Sequence, residues 1–131
     1  MTRLLIVAAG GALGAVARYG VGVWTTRLFP AAQWPWATLT VNVIGGLLMG
    51  LLAGWLAFRG EAHGESIRLF AAVGVLGGFT TFSAFSLEAA LMIERRQLAM
   101  AGGYITASVV LSIAALFIGL MVARRAFGAA L

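Results

Sequence analysis

The apolar stretch from Phe70 to Ile93 carries in its interior the run Gly77-Gly78-Phe79-Thr80-Thr81-Phe82-Ser83-Ala84-Phe85-Ser86. If the stretch crosses a bilayer, two adjacent glycines, two threonines, two serines and three phenylalanines fall at mid-membrane depth. A plain anchor has no use for them. Non-helical backbone persists inside a membrane only where protein buries it or a cavity borders it, because lipid cannot satisfy free N–H and C=O groups. The run therefore predicts a broken transmembrane helix, and broken helices commonly sit at ion or substrate sites.

The rest of the chain supports a membrane setting. Hydrophobic residues make up 62% and charged residues 10%, where a soluble domain carries about 25% charged residues. A span needs about 20 apolar residues, and four candidates satisfy this: about 4–28, interrupted by Arg18, then 36–58, 67–93 and 102–122. The expected fold is a single all-α domain over residues 1–131, with the third helix broken near its middle. Turn-forming and charged segments separate the spans, and Trp34, Trp36, Trp55 and Tyr104 lie near span ends, as an interfacial aromatic belt would. The N-terminal run could pass for a secretory signal, but apolar character continues past Arg18 to Phe29, which suits a full span better. Absence of cysteine excludes disulfides and thiolate metal sites.

The net charge of +5 comes from nine arginines against four glutamates. The arginines flank apolar runs, which reads as membrane-edge anchoring and not as nucleic-acid binding. With four spans, Arg3, Arg59, Arg68, Arg124 and Arg125 share the side of the termini. Arg27, Arg95 and Arg96 share the other, with Arg18 within reach of it. So small a bias predicts insertion in both orientations. Four short spans do not easily enclose a pore, so a homodimer is expected. Gly10/Gly14, Gly46/Gly50, Gly50/Gly54 and Gly74/Gly78 have the spacing that lets membrane helices approach closely.

The polar residues within the spans each admit two readings. Arg18 either snorkels to the interface or concentrates anions at a polar vestibule. Asn42, on one face with Thr38, Gly45 and Gly46, either bonds across a helix interface or lines a permeation path. Phe79, Phe82 and Phe85 recur at helical spacing, which ordinarily means packing. Beside a helix break, their electropositive ring edges could instead favour an anion without holding it tightly. Carbonyls freed at the break could coordinate Na⁺. Glu88 is either a proton-coupling group or an arginine partner. Tyr104, Ser108 and Ser112 form one hydroxyl stripe, either back-bonded to the helix or exposed along a pore; Leu116 is the next position. Enzyme chemistry is not expected. The one histidine, His63, lies in a charged loop, and no nucleophile–base pair, metal cluster or phosphate cradle is visible.

Residues 11–19 (GALGAVARY), 38–45 (TLTVNVIG) and 74–85 resemble the signature segments of the small bacterial fluoride channels, the CrcB or Fluc family. The resemblance covers essentially the whole chain. It implies a passive exporter of fluoride across the bacterial inner membrane, an antiparallel dual-topology homodimer with two pores and a central structural Na⁺. By position, it implies that Phe82 and Phe85 line the pore and that Asn42 is the pore asparagine. Gly77 and Thr80 would offer backbone carbonyls to Na⁺. Arg18 would be the vestibule arginine and Glu88 a glutamate near the pathway, with Tyr104, Ser108 and Ser112 as a polar track. Asn42, Ser83, Ser108 and Ser112 are the donors available to a dehydrating fluoride. Two alternatives compete. A proton-coupled small multidrug exporter shares the size, but that class generally depends on an acid in its first span, where this chain has Arg18. A non-transporting assembly subunit explains the glycines but not the hydroxyls, the amide and the break.

Overall fold

The computed structural model describes residues 1–59 and 64–128; the charged loop residue His63 lies outside them. The described residues are helical throughout apart from short connectors. In chain order they form α1 (Thr2–Leu28), α2 (Trp36–Phe58), α3 (Gly64–Ile67), a π-helical segment (Arg68–Leu76), α4 (Gly77–Phe79), α5 (Phe82–Glu94) and α6 (Leu98–Gly128). The pieces between Gly64 and Glu94 make one interrupted span, so four rods are long and apolar enough to cross a membrane. α6 has 31 residues. At 1.5 Å per residue it is about 46 Å long, longer than a hydrocarbon core of about 30 Å.

Two packed pairs build the bundle. α2 lies along α6, and α1 lies along the π-helical segment and α4. Glycines set both approaches. A Cβ at Gly46, Gly50 or Gly119 would strike backbone of the opposing helix between α2 and α6, and Gly10, Gly14, Gly74 and Gly78 play the same part between α1 and the third span. Gly54 packs against the Ala123 side chain of α6, so all four of the GxxxG pairs noted in the sequence make contacts inside the protomer.

The break falls near the middle of the third span, within the run Gly77–Ser86 as the sequence predicts, but at the threonines and not at the glycines. Gly77 remains helical, with φ −62° and ψ −38°, and Gly78 is held against the carbonyl of Gly11. The chain leaves the helix only at Thr80 (φ −81°, ψ 158°) and Thr81 (φ −152°, ψ 114°). The glycines serve close packing. The β-branched threonines, which suit extended backbone, make the break. Thr81 then caps α5, its hydroxyl accepting from the Ala84 N–H at 3.1 Å.

At its far end α5 stops in a left-handed turn. Arg96 has φ 59°. Its N–H donates to the Ile93 carbonyl, and the Gln97 N–H donates to the Met92 carbonyl, the paired bonds of a Schellman cap. Tyr104 departs from the expected interfacial belt. It is 0% exposed and belongs to the core cluster with Leu39, Phe85, Ala89, Met92 and Ala101.

Candidate functional site

Asn42 anchors the break. Its Oδ1 accepts from the Thr81 N–H at 2.8 Å, and its Nδ2 donates to the Thr81 carbonyl at 3.1 Å. The carboxamide thus replaces the backbone partners that a helix would have supplied, which is how an extended residue survives at this depth. One Nδ2 hydrogen is left over for another acceptor.

The same bonds change the carbonyls upstream. In a continuous helix the Gly77 carbonyl would accept from the Thr81 N–H, and the Thr80 carbonyl from the Ala84 N–H. The first donor is turned to Asn42 Oδ1 and the second to Thr81 Oγ1. Gly77 and Thr80 are therefore the carbonyls whose helical donors are taken by side chains. No cluster of three or more His, Cys or acidic side chains suited to a metal occurs among the described residues.

Beside the break lies an open groove of about 410 Å³ between α2, α5 and α6. Asn42, Thr80, Thr81, Phe82, Phe85, Ser108 and Ser112 border it, followed by Leu116. Asn42, the two phenylalanines and the two serines, scattered over the sequence, meet at one place. The Ser108 and Ser112 hydroxyls are buried and have no hydrogen-bond partner. Some hydroxyls in this chain bond back to the preceding turn: Thr25 to Val21, Thr26 to Gly22, Thr80 to Leu76 and Ser86 to Phe82. Ser108 and Ser112, one turn apart, carry the hydroxyls that are both buried and unpartnered among the described residues, and each costs about 1–3 kcal/mol unless something accepts from it.

Phe82 is 77% exposed, at the open side of the groove. Its ring lies 5.5 Å from Phe85, and the column continues through Tyr104 at 5.3 Å to Trp34 at 5.6 Å. Tyr104 does not join Ser108 and Ser112 along the groove. Its hydroxyl donates to Glu88 Oε2 at 2.6 Å, while Thr38 donates to Glu88 Oε1 at 2.7 Å. Among the described residues Glu88 has no arginine partner at ion-pair distance, since the one such pair is Arg3–Glu65. Both Glu88 oxygens are held by hydroxyls, an arrangement that neither reading of the sequence contained.

Glu88 also borders a second cavity of about 400 Å³, shared with Gln33, Pro35, Met92, Arg95 and Gln97. This funnel opens at the end where α5 meets α6. Sequence reasoning missed Gln33, Arg95 and Gln97, because they sit in connectors that read only as membrane-edge anchors. Arg18, half-buried on α1, borders neither cavity. Ser83 is exposed and outside the groove lining, its hydroxyl 3.3 Å from that of Thr81.

Comparison with known proteins adds an independent line. The family model described as CrcB-like protein, Camphor Resistance (CrcB), matches residues 5–120. A protein of Caulobacter sp. (strain K31) named fluoride-specific ion channel FluC is 65% identical over 127 residues, covering 97% of this chain and 98% of its own. Proteins of the same name from Caulobacter vibrioides (strain NA1000 / CB15N) and Phenylobacterium zucineum (strain HLK1) are 60% and 58% identical, each over 97% of this chain and 99% of its own. With its four apolar helices and a match of this extent, the chain belongs to the CrcB family of multi-pass membrane proteins.

Proposed function

We propose that the protein is a fluoride-selective channel of the bacterial inner membrane, passive and not enzymatic, working as an antiparallel homodimer with two pores. The observation that carries this reading is the groove bordered by Asn42, Phe82 and Phe85 together with Ser108 and Ser112, whose buried hydroxyls have no partner. Fluoride is small and strongly hydrated, so a narrow path must supply donors as water is stripped. Ser108, Ser112 and the spare Asn42 N–H are such donors. Phenyl ring edges attract an anion weakly, which lets it leave. Conduction requires that balance between binding and release.

A single protomer leaves the groove open and Phe82 exposed. A second copy is the cover that would close the path and, by symmetry, form another. The carbonyls of Gly77 and Thr80 suit a structural Na⁺ at the junction, a hard cation held by unwound backbone. Two carbonyls from each copy would make the cage. Its contribution would be to fix the two breaks against each other. In one protomer, the route runs from the funnel bordered by Arg95 and Gln97, past Glu88 and Tyr104, to Phe85 and the serines.

The test is ion efflux from liposomes carrying the purified protein, read with fluoride- and chloride-selective electrodes. Valinomycin-dependent fluoride release with little chloride release is expected. Phe82→Ile or Phe85→Ile should abolish or sharply reduce that release while leaving the dimer intact. Slow release insensitive to membrane potential would overturn the channel reading in favour of a coupled transporter. No release from folded dimer would favour an assembly subunit. Exchange of Na⁺ for a bulky organic cation should weaken the dimer without changing the fluoride-to-chloride ratio.

A further inference from the structure

A second groove lies on α1, away from the break. Tyr19, Gly22, Val23, Thr26 and Arg27 recur at three- and four-residue spacing and so form one stripe of the helix. With Ala37 of α2 they border a groove of about 520 Å³. Its waist is open, because a Cβ on Gly22 would have no neighbour within 4 Å. Ala37 points to a different side of α2 from Asn42, Gly45 and Met49, which border the groove at the break, so the two are distinct.

The stripe has a direction. Its inner part, over Tyr19, Gly22 and Val23, is mostly apolar. Its outer end is Arg27, exposed in the last turn of α1 and without an acidic partner at ion-pair distance among the described residues. A smaller cavity of about 180 Å³ shares Thr26 and Ala37 and brings Phe29, Trp34 and Trp36 to this end, the aromatic company usual at a headgroup level. An apolar trough entering the bilayer beneath a lone cation complements a hydrocarbon chain beneath a phosphate. A protein occupant would have to bring its own acid to Arg27.

We propose that this groove is a binding site for one anionic phospholipid per protomer, an acyl chain lying over Gly22 and the headgroup phosphate against Arg27. Basic residues near an anionic membrane surface favour acidic lipid by about fivefold each, and that factor is what Arg27 supplies.

Native mass spectrometry of the full-length protein, released from detergent with equal phosphatidylglycerol and phosphatidylcholine of matched chains, tests the site. Wild type is expected to retain phosphatidylglycerol about fivefold over phosphatidylcholine, at one molecule per protomer. Arg27→Gln should bring the ratio close to one, and Arg27→Lys should keep most of it. Gly22→Leu should reduce both lipids by filling the trough. Arg124→Gln, which removes the same charge outside the groove, should leave the ratio unchanged. An unaltered ratio in Arg27→Gln, or an equal fall in Arg124→Gln, would overturn the proposal. So would a Gly22→Leu protein whose subunit count changes while its lipid does not, since the groove would then belong to another copy of the chain.

Discussion

Replacing Asn42 by alanine tests how the break is held. The substitution removes two hydrogen bonds, of 2.8 and 3.1 Å, and strands the N–H and C=O of Thr81 in the membrane interior. Interhelical hydrogen bonds in membranes contribute about 0.6 kcal/mol on average and about 1.7 at most, so the pair predicts a loss of about 1–3 kcal/mol. Thr81→Val removes the cap on Ala84, a loss of about 1 kcal/mol. Both changes release the same two-residue segment, so the double variant should lose less than the sum, with a coupling of about 0.5 kcal/mol or more. Unfolding in mixed micelles with rising dodecyl sulfate, followed by tryptophan fluorescence, measures all three. A loss below about 0.5 kcal/mol for Asn42→Ala, or additivity within about 0.3 kcal/mol, would refute the view that Asn42 holds the break through Thr81.

The same assay checks four further expectations. Gly50→Ala should cost about 1–3 kcal/mol because its Cβ would meet the Leu116 carbonyl. Gly20→Ala, which meets nothing within 4 Å, should be neutral or stabilising by up to about 1 kcal/mol. Thr38→Val and Tyr104→Phe each take one donor from Glu88, costing about 1–3 kcal/mol, and should be non-additive because they share one carboxylate; independent effects would argue against a shared bond network. Arg96→Gly should stabilise by about 0.5–1 kcal/mol, since an L-residue pays about 1–2 kcal/mol in the left-handed region and glycine's extra freedom in the unfolded chain returns part of it; a loss would show that the Arg96 side chain makes a contact worth more than the strain.

Four apolar runs and an interior polar segment were enough to specify a helical membrane protein with an interrupted third span. Lipid leaves backbone no alternative to the helix, so hydropathy alone carries that conclusion. Asn42, Phe82, Phe85, Ser108 and Ser112 were legible as candidates because polar or paired aromatic residues are conspicuous against an apolar background. The sequence could not say which residue makes the break. Glycine is the usual helix breaker, but here close packing against α1 occupies Gly78, and the two threonines take the extended backbone.

Partners across the bundle were decided only by tertiary structure. Periodicity placed Tyr104 in line with Ser108 and Ser112, since residues four apart share a helix face. Packing of α5 on α6 turned its hydroxyl to Glu88 instead. An intramembrane acid suggested a proton carrier or an arginine partner; Thr38 and Tyr104, 50 and 16 residues away, hold it. Local spacing determines which face a side chain takes. What it meets there depends on how the helices cross, and in this chain glycines at the crossings set that geometry.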